Sequence, residues 1–320
     1  MSQKTTSTEL PFVSVVIPVY NSPSGLERTL KNLQQQTYPQ DKWEIIVVDN
    51  CSTENNREIA TRYSCTFLQE NRMRNSYAAR NTGIRSARGS IIAFIDADCV
   101  PVKNWLEEGI KTMQSTNAEI VGGNIQFTFE KKIHGIAEMA DSIVFLQQEK
   151  YVKFRKSACT ANLFISKSVF DSLGLFPEKA ASSIDVYFTA NAVKKGRTIA
   201  FAPKATIHHQ ARSLQQLMGK ALRIGTGKGT IVRQENLLKT IASALKFIKE
   251  LSPVQRMKTP FLLSKLNPWN LWQTLKKNHQ HVTSVEFFGI LACCYAMAIV
   301  GGIGVIRGLL FGKKHLQNRQ

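Results

Sequence analysis

Ser90-Ile-Ile-Ala-Phe-Ile-Asp-Ala-Asp-Cys99 is an apolar run of strand length, Ile91 to Ile95, that ends in two carboxylates one residue apart, Asp96 and Asp98. A buried strand gains nothing from paired charges at its end, because an unpaired buried carboxylate is costly. At the carboxyl edge of an α/β sheet, where ligands bind, the pair suits a divalent cation. Side chains at i and i+2 of an extended segment point the same way, so both carboxylates can face one ligand.

Outward from this stretch, strand and helix patterns alternate. Phe12–Pro18, Trp43–Asp49 and Cys65–Leu68 are apolar strands, and Leu26–Gln35, Asn56–Tyr63 and Tyr77–Ala87 carry helical patterns. Continuous apolar strands alternating with helices indicate a parallel sheet covered on both faces. Pro101 is expected to open the next helix. Further on, the pattern predicts a strand over 118–129, a helix over 133–149, a loop and short strand over 157–166 and a helix over 183–195. A strand over 197–201 and a loop over 203–212 follow, then basic amphipathic segments at 213–222, 237–251 and 261–275.

The net charge of +19 is unevenly spread. Residues 1–200 hold 24 Lys and Arg against 20 Asp and Glu, whereas residues 201–320 hold 18 against 3. Such a basic tail seeks polyanions: nucleic acid, an anionic membrane or phosphorylated ligands. Phe287 to Ile306 is a run of twenty uncharged, mostly apolar residues, about the span of a bilayer core. With that run beside the charge and no nucleic-acid-binding module in the chain, the expected partner is the membrane and not nucleic acid. The six cysteines form no C-x-x-C pair and read as reduced thiols of a cytosolic compartment. Gly225-Thr-Gly-Lys-Gly-Thr230 lacks the spacing of a P-loop, whose first Gly would fall on Leu222.

The order and spacing of several segments resemble family 2 glycosyltransferases of the GT-A fold. They are Val15-Val-Ile-Pro-Val-Tyr-Asn21, Ile45-Ile-Val-Val-Asp-Asn-Cys-Ser-Thr-Glu54, Ala78-Ala-Arg-Asn-Thr-Gly83 and Phe94-Ile-Asp-Ala-Asp98. Later come Ile184-Asp-Val-Tyr-Phe188, Lys194-Lys-Gly196 and Ala202-Pro-Lys-Ala-Thr-Ile-His-His209. The resemblance implies a Rossmann-like mixed α/β sheet that binds a nucleotide-diphospho-sugar, with a C-terminal helical membrane-associating region. The domain plan is a polar tail at 1–11, a glycosyltransferase domain at 12–230 and a basic region at 231–320 holding the apolar segment 287–306.

It also implies roles. Pro18 and Tyr20 line the base pocket, Asp49 contacts the base and Asp96 lies near the ribose. Arg80 reaches the diphosphate through its planar fork, and Arg223 touches the pyrophosphate. Asp98 binds Mg2+ or Mn2+, with His209 favoured over His208 as a further ligand. Asp185 is the general base that deprotonates the acceptor hydroxyl for an inverting transfer. The implied donor is a nucleotide sugar, a UDP-sugar first, and the acceptor a glycan or lipid-linked sugar at the cytoplasmic face of the membrane. Two departures from the family pattern stand out: Asn50 replaces a second Asp after Asp49, and Ile184 replaces a Glu before Asp185. The second motivates an alternative, a catalytically inactive nucleotide-sugar-binding partner in a polysaccharide assembly complex.

Overall fold

The computed structural model describes residues 9–129, 135–178, 182–234, 271–273, 275 and 283–311. Of the expected basic segments, 237–251 and most of 261–275 lie outside these residues.

Parallel strands β1 (Val13–Val19), β2 (Trp43–Asp49), β3 (Thr66–Gln69) and β4 (Ile91–Ile95) alternate with helices α1 (Pro23–Leu33), α2 (Asn56–Arg62) and α3 (Ser76–Ser86). The strands are apolar on both faces because helices cover both faces. The short strand β5 (Cys99–Pro101) follows, then α4 (Trp105–Thr116), β6 (Ile120–Thr128), α5 (Ile136–Val144) and α6 (Gln148–Arg155). Next come β7 (Asn162–Ser166), α7 (Lys167–Leu173), α8 (Ile184–Lys194), β8 (Ile199–Gln210), α9 (Leu214–Gln234) and α10 (Ser284–Phe311). The sheet order is β3-β2-β1-β4-β7-β6-β8-β5, with β7 antiparallel to both β4 and β6. The sheet is therefore mixed, as the resemblance implied.

Three local expectations are corrected. Pro101 closes β5 instead of opening a helix, and α4 begins at Trp105. The single helix expected over 133–149 is two, α5 and α6, separated where Leu146 adopts a left-handed φ of 52°. The loop expected from Pro203 is strand, since β8 runs unbroken to Gln210.

Two compact units are present. The first comprises 1–125, 148–176 and 186–208, and its core is the inner sheet: Val16, Ile46, Ile92 and Phe94 are fully buried, with Trp105 and Leu106 of α4. Each such side chain contributes about 1.5–3 kcal/mol by leaving water. The second comprises 126–147, 177–185 and 209–320. Its core joins Met139 and Ile143 of α5, Leu217 and Ala221 of α9, and Ile290, Cys294 and Met297 of α10.

Candidate functional site

In the first unit, β1, β2 and β4 run parallel and end at one edge. Val19 pairs with Asp49 and Val16 with Phe94, so Asp96 comes level with Pro18 two residues further on. Asp49 is buried, and its carboxylate accepts from the Ser52 amide at 3.0 Å and from Asn56 Nδ2 at 2.8 Å. These bonds fix its direction at the end of β2. Asn50 donates through Nδ2 to the carbonyls of Met73 (2.8 Å) and Glu70 (3.3 Å). A carboxylate cannot donate, so the Asn at this position is a structural requirement of the loop after β3. The Asn21 carboxamide accepts from the Thr53 amide at 2.8 Å, tying the loop after β1 to the loop after β2. Tyr20 is partly exposed, with the Arg74 guanidinium 4.0 Å from its ring centre, a cation–π contact.

The turn carrying Asp96 and Asp98 is held from beneath by Thr29 of α1. This fully buried hydroxyl lies within hydrogen-bonding distance of three carbonyls: Ala97 at 2.9 Å, Cys99 at 2.7 Å and Gly25 at 3.1 Å. At Gly25 a Cβ would press on the Ala97 carbonyl, so the glycine lets α1 approach the turn this closely. Arg80 is placed by α3, where Gly83 rests directly on Val16 and Val48. From there the Arg80 Nη2 donates to Asp96 Oδ1 at 2.6 Å. Asn81 clamps the backbone of Phe176 in both directions, donating to its carbonyl (2.8 Å) and accepting from its amide (3.0 Å). Within this unit the fold thus brings together Pro18, Asp49, Arg80 and Asp96 along one sheet edge, with Asp98 in the following turn.

In the second unit, Asp185 is buried in the first turn of α8, where the positive end of the helix dipole favours a carboxylate. Ser183, at a left-handed φ of 67°, turns the chain into that helix. Ile184 is fully buried, so the position where the family pattern carries Glu is a packing position here. A Cβ on Gly227 of α9 would strike the Ser182 carbonyl, which means that α9 braces the approach to Asp185 by backbone contact. Arg223 lies exposed on α9, one turn earlier. The whole Gly225–Thr230 stretch is helical.

His209, near the end of β8, is buried against the Phe127 ring. Its Nδ1 lies 2.6 Å from the Gln210 carbonyl, which can only accept, so Nδ1 carries the proton and Nε2 the lone pair. The Arg212 Nη2 stands 2.8 Å from that Nε2, while Arg212 Nη1 and its backbone amide reach the fully buried Asp141 carboxylate at 3.2 Å and 3.0 Å. The imidazole is thus held at both nitrogens, and a metal ion can take Nε2 only where the Arg212 guanidinium gives way. His208 is only partly buried. Sequence reading missed Thr29, Asn81, Arg212 and Asp141; all four act by gripping backbone or another side chain, and no motif announces such contacts.

Comparison with known proteins bears on the family and the fold. A family model described as Glycosyl transferase family 2 matches residues 14–170. Glycosyltransferase AglE of Haloferax volcanii is 36% identical over 311 residues, covering 94% of this chain and 98% of that protein. A second relative is the dolichyl N-acetyl-alpha-D-glucosaminyl phosphate 3-beta-D-2,3-diacetamido-2,3-dideoxy-beta-D-glucuronosyltransferase of Methanococcus voltae. It is 24% identical over 70% of this chain and 74% of its own length. Among solved structures, the mannosyltransferase PcManGT from Pyrobaculum calidifontis, in complex with GDP-Man and Mn2+, superposes with a TM-score of 0.61. At 19% identity, over 95% of this chain and 88% of that one, it shows a shared fold.

Proposed function

The chain belongs to glycosyl transferase family 2 and has the GT-A fold, and from that footing we propose that it is a metal-dependent inverting enzyme that glycosylates a lipid-linked acceptor at the membrane. The carrying observation is the row of acids at the carboxyl ends of the parallel strands, Asp49 after β2 and Asp96 with Asp98 after β4. In this reading Asp49, Pro18 and Tyr20 take the base, Asp96 faces the ribose, and Arg80 and Arg223 serve the diphosphate. Asp98 and His209 hold Mg2+ or Mn2+, which when bound offsets the charge that builds on the leaving diphosphate. Asp185 removes the proton of the acceptor hydroxyl as that oxygen attacks the anomeric carbon from the face opposite the leaving group. A positioned carboxylate base is worth about 10²–10⁴-fold in rate.

The first donor to test is a UDP-sugar; PcManGT, solved with GDP-Man, makes a GDP-sugar the second. The acceptor class draws support from the dolichyl phosphate sugar in the name of the Methanococcus voltae relative. Among the described residues one C-terminal helix is long and apolar enough for a membrane, which supports attachment there, and the reading places the enzyme at the cytoplasmic face.

Release of nucleoside diphosphate from a panel of nucleotide sugars, with and without chelator, tests the reading. One donor is expected to turn over with Mn2+ and stop with chelator, and Asp98→Asn is expected to lose that turnover. Full activity of Asp98→Asn would sink the metal assignment. Nucleotide binding without turnover of any donor would favour the inactive-partner alternative.

A further inference from the structure

Helix α10 has two unlike sides. One side packs on α9 through glycines: a Cβ on Gly225 would strike the Gly301 carbonyl, one on Gly229 that of Val305, and one on Gly308 that of Thr226. The two helices run parallel from Leu222 beside Gly304 to Arg233, whose guanidinium donates to the Leu310 carbonyl at 2.9 Å. The other side is an exposed apolar stripe of Phe288, Tyr295, Ile299, Ile303, Ile306 and Leu310. These residues recur every three, four or seven positions, which places them on one face.

Length alone does not decide how such a helix meets a bilayer. Its 28 residues extend about 42 Å, enough to cross. Its partner does decide. If residues 287–306 crossed the hydrocarbon, α9 would be carried in beside Gly301 and Gly304, with Arg223 exposed on it. Lys and Arg carry a large penalty in a lipid core. Among the described residues α9 presents no second apolar span that would offset it.

We propose that α10 lies along the membrane surface with its Phe288–Leu310 stripe among the lipid tails, and does not cross. This rests on the membrane attachment proposed above and gives it a geometry. The occupant of the stripe is an anionic bilayer, because residues 201–320 bring 18 basic side chains against 3 acidic ones. The chain enters the helix through a capping box at the water-exposed Thr283: the Glu286 amide donates to Thr283 Oγ1 at 3.2 Å, and the Thr283 amide to Glu286 Oε2 at 2.8 Å. On its far side α9 meets Ser182 through Gly227, so the turn leading to Asp185 stands one helix from the membrane helix, about 8–10 Å between axes. A lipid-borne hydroxyl reaches that height without its tail leaving the bilayer.

The test uses the full chain made in a bacterial host, with cysteines introduced by Ser284→Cys or Lys314→Cys. A membrane-impermeant maleimide is applied to inverted membrane vesicles and to intact spheroplasts, and labelling is counted above that of the parent protein. Both positions are expected to react in inverted vesicles and neither in spheroplasts, and alkaline carbonate is expected to extract the protein. One position reacting from each side, with resistance to carbonate, overturns the proposal while leaving membrane attachment intact. A protein that never sediments with membranes, and instead forms a dimer that shields the stripe, overturns both. Ile299→Asp with Ile303→Asp is expected to reduce flotation with phosphatidylcholine/phosphatidylglycerol vesicles at least tenfold, while far-UV circular dichroism and nucleoside diphosphate release to water are unchanged. Undiminished flotation of that variant also overturns it.

Discussion

Arg80 Nη2 and Asp96 Oδ1 meet at 2.6 Å, a pair in which the cation is buried and the carboxylate is one-third exposed. The guanidinium comes from the middle of α3 and the carboxylate from the end of β4, so the contact pins the carboxyl edge of the sheet to the helix above it. Arg80 Nε has no hydrogen-bond partner among the described residues, which makes the pairing with Asp96 the principal compensation for burying this charge.

Asp96→Asn leaves that buried cation without its counter-charge. The expected loss is about 1–3 kcal/mol of stability, read as a lower urea midpoint with unchanged m-value. Because the carboxylate is partly hydrated, the loss should fall short of the 3–5 kcal/mol typical of a fully buried pair. An unchanged midpoint would show that the contact contributes nothing net.

Thr29 positions the acidic turn without touching substrate. Thr29→Val keeps the volume and removes the hydroxyl from the Ala97 and Cys99 carbonyls, at a cost of about 1–3 kcal/mol for buried acceptors left unsatisfied. Donor KM is expected to rise about tenfold with a smaller change in kcat, and Thr29→Ser to restore it. Equal kinetics for the Val variant and the parent would remove Thr29 from the site.

Asp185→Asn tests the base. Transfer is expected to fall by at least about 10²-fold while nucleoside diphosphate binding, measured by calorimetry, is unchanged. A variant that keeps transferring would move the base elsewhere.

Glu70 supplies a pH dependence. Burial raises its pKa, but hydrogen bonds from Arg72 and Thr82 and the charge of Arg72 outweigh this, so the net shift is below the ordinary 4.5. A carboxylate with a depressed folded pKa stabilises fully above its unfolded pKa and loses that contribution as pH falls through the folded value. Stability should therefore drop below about pH 4.5 more steeply in the parent than in Glu70→Gln, which should be weaker at pH 7. Parallel stability curves would rule the linkage out.

How far the fold was legible depends on what each segment had to do. Trp43–Asp49 and Ile91–Ile95 form over the ranges their apolar runs predict, since strands buried on both faces tolerate nothing else and the flanking polar residues end them. β8 was read short because Pro203 marks a break, yet its neighbour β5 is three residues long and asks few ladder hydrogen bonds of β8. The division between α5 and α6 has no Gly or Pro to announce it; Leu146 takes the strained φ. Gly225–Thr230 has glycine-rich phosphate-loop character without the P-loop spacing, and in the fold each of its glycines removes a side chain where two backbones touch.

The amino-acid sequence by itself determined the family, the mixed α/β sheet and the acids Asp49, Asp96, Asp98 and Asp185. Those features are local: an apolar run of a given period, ended by a residue type at a given spacing, survives reading in one dimension. Only the tertiary structure decided that Arg80 is held by Asp96, that Thr29 anchors the acidic turn, that Arg212 and Asp141 orient His209, and that α9 covers one side of α10. Each of these depends on residues from 3 to 82 positions apart meeting in space. Whether a glycine is a hinge or a contact, and whether a basic side chain meets water or a carboxylate, is set by what the fold packs beside it.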